Sequence, residues 1–206
     1  MSRKSIALIV LALGLASGPA LACKGNTVLF QADFRSVDPS WDTNLGIGMG
    51  VAKIASNPGY ISWPFYQGSL FTDADICVDV TIPTGAKADS IAGGVVFWAA
   101  DYNNFYAYLL ANGGTMAIVR RQNGKFLPAV RYRKAEGVNM TAEAANTLRI
   151  TLQGKTATTY INDKPFVTLT TGQPPEGGSQ IGLYGESEPD KTNTWAFSNL
   201  KVTNVP

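Results

Sequence analysis

Gly93-Gly94-Val95-Val96-Phe97-Trp98, a polar turn at Asp101-Tyr102-Asn103-Asn104, and Phe105-Tyr106-Ala107-Tyr108-Leu109-Leu110 follow one another almost without a break. Asn112-Gly113-Gly114 then leads into Met116-Ala117-Ile118-Val119-Arg120. Short apolar or aromatic runs separated by Asn, Asp and Gly read as successive antiparallel strands. Asn123-Gly124 joins the third run to Phe126–Tyr132. It is the strongest short hairpin signal, because a type I′ turn needs φ > 0 at both central residues. The same alternation extends in both directions. Upstream lie Val28–Phe34, Tyr60–Phe65 and Ile76–Ile82; downstream lie Leu148–Leu152, Thr156–Ile161, Phe166–Thr170, Ile181–Tyr184 and Trp195–Val202. Gly154-Lys155 and Asn162-Asp163 supply further tight turns, and Ala135–Ala145 is too short and polar for more than a single helical turn. About a dozen short strands joined as hairpins predict an all-β chain, a sandwich or barrel.

Composition narrows the chemistry. The 206 residues are 45% hydrophobic and 16% charged, a globular balance, and contain no histidine. That absence removes Ser-His-Asp and Cys-His catalysis and His-ligated zinc. Residues 1–22 read as a signal peptide: Arg3 and Lys4, an apolar run Ile6–Ala16, a break at Gly18-Pro19, and Ala20-Leu21-Ala22 before Cys23. Eleven apolar residues are too few to span a bilayer. Residues 23–206 are then expected to form one domain. Removing Arg3 and Lys4 leaves equal numbers of Lys+Arg and Asp+Glu. Such a chain has no global attraction for nucleic acid or membrane. In an oxidising compartment Cys23 and Cys77 are expected to pair. The competing reading takes Leu-Ala-Cys as a lipid-attachment site, which would anchor Cys23 and orphan Cys77.

Gly93–Trp98 with Asp101–Tyr108 resembles the paired strands of the bacterial laminin-G-like, concanavalin A-like jelly rolls. Asn146–Ile150 with Thr159–Lys164, Ile181–Tyr184, Phe197–Val202 and Phe30–Phe34 are similar to other strands of that family. The resemblance implies a two-sheet antiparallel β-sandwich. It leaves function open, since such domains include lectins, glycan-binding modules, glucanases, sugar-processing hydrolases and adhesion modules. Relatives often place an Asp before the Asn of the last strand to help hold a structural calcium. Here that position is Ser198, which argues against a calcium shared with Asp33, and no metal or other cofactor is expected. The Glu-x-Asp-x-Glu run of the glucanases is missing.

Four constellations carry candidate chemistry. Asp73, Asp75 and Asp79 share one face of a strand, which reads as ordinary half-exposed alternation, although same-face carboxylates can serve glycoside hydrolysis. Glu186, Glu188 and Asp190 read as a solvated loop, with calcium ligation the alternative. Arg120, Arg121, Lys125, Arg131, Arg133 and Lys134 fall within a stretch free of acids. They either protect an edge strand from pairing or, through Arg120, Arg131 and Arg133, grip an anionic polymer. Around the aromatics, Ile61, Trp63 and Phe65 alternate and are assigned to the core. Phe97, Tyr106, Tyr108 and Leu110 face inward on the family pattern, which turns Trp98, Phe105 and Leu109 outward beside Asp101–Asn104. A ring next to carboxylate and amide groups suits a sugar, whose apolar face stacks while its hydroxyls are hydrogen-bonded. Trp98, Asp101, Asn103, Asn104 and Phe105 are therefore the expected ligand-binding set. In the last strand Trp195/Phe197 and Leu200/Val202 lie on opposite phases, which a bulge near Ser198-Asn199 would reconcile.

The resulting expectation is an exported protein, periplasmic or secreted, acting as a non-catalytic glycan-binding or surface-interaction module. A hydrolase of the same fold using Asp and Glu alone, or a structural protein that binds an envelope partner, is the alternative.

Overall fold

A computed structural model describes residues 23–206 except 88 and 142; the signal-peptide reading falls outside those residues. One antiparallel sheet contains β1 (Val28–Ala32), β2 (Gly46–Gly48), β3 (Val51–Ala55), β6 (Ala74–Thr81), β11 (Ala145–Gln153), β12 (Thr156–Ile161), β13 (Lys164–Leu169) and β15 (Thr194–Thr203). Its order is β13-β12-β11-β6-β15-β3-β2, with β1 also pairing β15. The other sheet contains β4 (Ile61–Ser62), β5 (Phe65–Phe71), β7 (Ala92–Asp101), β8 (Asn104–Ala111), β9 (Thr115–Gln122), β10 (Lys125–Lys134) and β14 (Ser179–Glu186). Its order is β10-β9-β8-β7-β14-β4, with β5 beside β14. No helix occurs among the described residues. Each of the twelve apolar runs overlaps a strand; β2, β3 and most of β5 lie outside those runs.

The turns follow their residues. Asn123 and Gly124 both have positive φ (49° and 77°), as the type I′ geometry requires, and so do Asn162 and Asp163. The sandwich core lies between the sheets and joins residues of both, among them Ile76, Val78, Leu148, Trp195 and Phe197 from one, and Val95, Phe97, Tyr108 and Leu183 from the other. Trp195 is fully buried. Its indole lies against Gly93 and Gly185, which are paired across β7 and β14, and its Nε1–H donates to the Glu186 carbonyl at 3.0 Å. β15 bulges between Ser198 and Lys201, with Asn199 at φ 54°, so that Trp195, Phe197, Leu200 and Val202 all reach one core.

Cys23 and Cys77 form a disulfide that closes the N-terminal segment over β6. This corrects the half-exposed reading of that strand. Asp75 is fully buried. It pairs with Arg149 Nε at 2.8 Å and accepts from the Thr151 hydroxyl and the Lys24 backbone N–H. Arg149 in turn lies over the Tyr160 ring at 4.6 Å. A buried carboxylate is tolerable only when paired and hydrogen-bonded, and these partners meet that condition.

A Cβ added at Gly93 would lie only 2.3 Å from two carbons of the Trp195 indole. Gly93→Ala is therefore expected to lower stability by about 1–3 kcal/mol, as overpacking does. Gly48→Ala, where the added carbon meets nothing, is expected to change it little. Chemical unfolding of the two variants against the parent checks this.

Candidate functional site

The seven-stranded sheet has a second apolar face, turned away from the core. Alternate residues of β7, β8 and β9 present Ala92, Val96, Phe105, Ala107, Leu109, Ala111 and Val119 there, and β5 and β14 add Phe65 and Tyr184. Trp63, on the short link between β4 and β5, lies across this floor. Its ring centroid is 5.7 Å from Phe105, 5.8 Å from Phe126 and 6.5 Å from Tyr184. Pro64 follows Trp63 and its N cannot donate to a ladder. Trp63 and Phe65 thus belong to the outer face, not to the sandwich core, and Ile61 is exposed.

A cleft of about 630 Å³ opens on one side of Trp63, bounded by Ser40, Asp42, Ile61, Gln67 and Tyr102. The Asp42 carboxylate anchors it. Its Oδ2 accepts the Phe65 N–H at 2.7 Å, and its Oδ1 accepts from the Tyr102 hydroxyl at 2.8 Å and from Gln67 Nε2 at 2.7 Å. Gln67 Nε2 also donates to the Tyr102 oxygen. The Tyr102 ring stacks on Phe65, with centroids 4.8 Å apart and planes 9° from parallel. Desolvation, reinforced by the Asp42 carboxylate, pushes the Tyr102 phenol up to about 12, so it remains a donor.

A second cleft of about 450 Å³ is lined by Asp89, Ala92, Ala111, Tyr132 and Glu186. Glu186 accepts from the Tyr184 hydroxyl at 2.7 Å and from the Ala92 N–H at 3.0 Å. Burial nevertheless raises its pKa above the ordinary carboxylate value. The expected solvated loop is instead an ordered network. Glu188 is buried and pairs with Lys191 at 2.9 Å, and it accepts from the Lys87 N–H and from Asn193.

The sequence-predicted ligand set is placed differently from expectation. β7 carries a bulge between Phe97 and Asp101, and Trp98 sits at φ 48°. That extra residue turns Trp98 to the same side as Phe97, where it is 3% exposed and packs against Phe97 and Tyr106. Phe105 does point outward, but Trp63 and Phe65 cover it and leave it 1% exposed. Neither ring offers a free stacking surface. Asp101 accepts from the Asn103 N–H and from Asn104 Nδ2 within its own turn. Asn104 Oδ1 and the Asn103 carbonyl bind the N–H groups of Asn123 and Gly124, tying two hairpin tips together. Of the residues in that loop, Tyr102 has the exposed ring, at 46%.

The basic stretch does not converge either. Arg120 lies over Tyr106, while Arg133 lies over Phe166 of β13 and donates to its carbonyl. Their ladder positions, opposite Leu127 and Met116, are four residues apart, or about 13 Å. Arg131 is exposed on the bulged edge strand. Arg121, which no ligand reading had singled out, lies against both the Trp63 and the Phe126 ring, 4.8 Å from each centroid.

Among the described residues, Cys23, Asp75 and Cys77 bring potential metal-ligand atoms together. Both sulfurs are bonded to each other and Asp75 to Arg149, so this cluster is unavailable to a metal. Asp33 Oδ1 accepts the Arg35 N–H.

A carbohydrate-binding module from Bacillus subtilis superposes with a TM-score of 0.63 at 16% identity, over 80% of this chain and 96% of that one. The fold is a concanavalin A-like jelly roll. A lichenase from a mouse hindgut metagenome is similar with a TM-score of 0.63 at 9% identity, over 85% of this chain and 99% of that one. The Bacillus licheniformis β-glucanase is similar with a TM-score of 0.58 at 13% identity, over 86% and 98%. No family model and no curated protein matches the sequence. Jelly rolls of this kind include both binders and hydrolases, so the fold does not choose between them.

Glu188 gives this jelly roll a pH signature. The Lys191 ammonium and the Lys87 N–H lower its pKa from 4.5 to about 2. A depressed carboxylate contributes stability that is full above the unfolded value and is lost as pH falls toward the folded one. Glu188→Gln is therefore expected to melt lower than the parent at pH 7. The gap should close between about pH 4.5 and 2. Thermal melts at intervals across that range measure it.

Proposed function

We propose that this protein is an exported, non-catalytic glycan-binding module that takes its ligand on the outer face of the seven-stranded sheet. The observation that carries this reading is the cleft at Trp63, where the exposed Tyr102 ring is fixed beside the Asp42 carboxylate and the Gln67 amide. Sugar recognition needs that combination. An aromatic face packs against the C–H side of the ring, and oriented acceptors and donors meet its hydroxyls. Tyr102 is locked from below by Phe65 and at its hydroxyl by Asp42, so little side-chain entropy remains to be lost on binding. The disulfide supports an oxidising compartment, and the likeness in fold to a carbohydrate-binding module supports the same reading.

Binding of neutral polysaccharides by residues 23–206, followed by affinity electrophoresis or calorimetry, tests this. Tyr102→Ala and Asp42→Asn are each expected to weaken binding about tenfold or more, the loss of one stacking contact or one charge-assisted hydrogen bond. Trp98→Phe keeps a ring in the core and is expected to leave affinity unchanged. Unaltered affinity in both cleft variants would overturn the assignment of the site.

A hydrolytic reading has one observation in its favour: the raised Glu186 shares a cleft with Asp89. A carboxyl with a raised pKa in the same cleft as a second carboxylate is the equipment of acid-assisted glycoside cleavage. If it operates, release of reducing ends should vanish in Glu186→Gln and decline as pH rises through the raised Glu186 value, because the acid form is the one that donates. Incubation of the same polysaccharides with parent and variant decides it; intact chains after prolonged incubation leave the binding reading standing alone.

A further inference from the structure

The cleft that contains Glu186 opens on the same face of the sheet as the Trp63 cleft. Ala92 and Ala111, which line it, belong to the same outer apolar cluster as Phe65, the ring beneath Tyr102. The two clefts adjoin across β14. Ile61 at the wall of one is paired with Glu186 at the wall of the other, and paired strands lie about 4.8 Å apart. Tyr184, stacked on Trp63, donates its hydroxyl to Glu186, so one side chain joins the ring that bounds the first cleft to a carboxylate in the second. Both volumes, about 630 and 450 Å³, fall in the roughly 300–1,000 Å³ range of small-molecule sites. The recognition chemistry is repeated as well. The first cleft sets the exposed Tyr102 ring beside Asp42; the second sets Tyr132, likewise 46% exposed, in one cleft with Glu186 and Asp89. An ionised carboxylate has about four acceptor positions. Among the described residues, Glu186 accepts from the Tyr184 hydroxyl and the Ala92 N–H, and Asp89 from the Thr115 hydroxyl at 2.9 Å. Acceptor positions on both are left over. Neither cleft is lined by Lys or Arg, and Lys134, paired with Thr115 across β9 and β10, forms no ion pair with either carboxylate.

We propose that the Tyr132 cleft is a second sugar subsite, and that the ligand is a neutral polysaccharide held along its length, with one residue beside Tyr102 and a later one beside Tyr132. The inference rests on the glycan-binding reading and adds the kind of ligand: a run of chain, not a single sugar. Its energetic reason is effective concentration. Once one sugar residue is seated, the next subsite is reached within the same complex, without a second loss of translational freedom. Linkage of this kind raises affinity by about 10²–10⁴-fold when the geometry allows both sites to be engaged. The walls select the chemistry. Free carboxylate acceptors meet sugar hydroxyls, which are donors, and a ring face meets the C–H side of the sugar. With no cation lining either cleft, a carboxylate or sulfate substituent would meet the like charges of Asp42 and Asp89.

The test titrates oligosaccharides cut from laminarin and from xylan, from the disaccharide upward, into residues 23–206, with both polymers and polygalacturonate alongside. In at least one neutral series affinity is expected to rise about 100-fold or more between the shortest member that binds and the plateau. Tyr132→Ala is expected to remove most of that rise while leaving the shortest member's affinity unchanged. Asp89→Asn, whose new side chain tolerates the positive φ there, is expected to reduce long-chain affinity severalfold. Tyr132 is exposed on the edge strand β10 and Asp89 in the loop before β7, so neither substitution opens the core. A rise that persists in Tyr132→Ala reflects only the larger number of registers a longer chain offers and would overturn the subsite. Equal affinity at every length would do the same. In both cases the glycan reading stands if Tyr102→Ala still weakens binding. Tighter binding to polygalacturonate than to either neutral polymer would overturn the neutral assignment, and failure of the folded protein to bind any of the three polymers would overturn subsite and glycan reading together.

Discussion

Trp195 is the contact on which the two sheets are registered. It comes from the eight-stranded sheet, yet its indole occupies space made by two glycines paired across β7 and β14 of the other. Burying an aromatic side chain of this size contributes several kcal/mol, and the void left by its loss would add to the penalty. The packing also has a direction. Its N–H binds the carbonyl of Glu186, the residue immediately after Gly185, so the peptide carrying Glu186 is held from inside the sandwich. The Glu186 side chain then projects to the opposite face, where Tyr184 and the Ala92 N–H receive it. Core packing and outer-face chemistry are in this way two sides of one strand.

Period-two alternation made the strands legible, and bulges decided where that legibility ended. In β15 the two apolar phases contradict each other within ten residues, so the sequence itself announces the bulge that Asn199 provides. In β7 nothing contradicts. Val95, Val96, Phe97 and Trp98 are all apolar, both faces of the strand are covered, and a continuous apolar run carries no phase information. The bulge after Phe97 therefore left no trace, and the ring expected outside lies inside. Asp75 presents the same difficulty from another direction. Its strand alternates perfectly, but the alternation distinguishes the two faces without saying that a disulfide-fastened segment covers the polar one.

The missing rings were legible in kind and not in place. Tyr102 stands between Asp101 and Asn103, inside the loop that the composition marked for sugar binding. The flanking polar side chains are consumed in stabilising the turn, and Tyr102 is the member left facing outward. Trp63 alternates with Ile61 and Phe65 as a core strand would, and Pro64 marks the edge where that pattern breaks. Only tertiary structure reveals that β5 packs its first residue onto the outer face. Asp42 was invisible for a different reason. Its role arises from pairing with the Phe65 N–H and the Tyr102 hydroxyl, 23 and 60 positions away in sequence.

A charge that balances over residues 23–206 is uninformative about ligand charge only if the charged groups are mixed evenly. On the outer face they are segregated. Asp42 lies in one cleft, Asp89 and Glu186 in another, and Arg121 lies over the Trp63 and Phe126 rings. Like charges brought together are unfavourable unless something else meets them, and solvent does so poorly in a partly buried cleft. The guanidinium of Arg121 lies over Trp63, the ring that also bounds the Asp42 cleft, so a cation and a carboxylate flank one aromatic surface on this face.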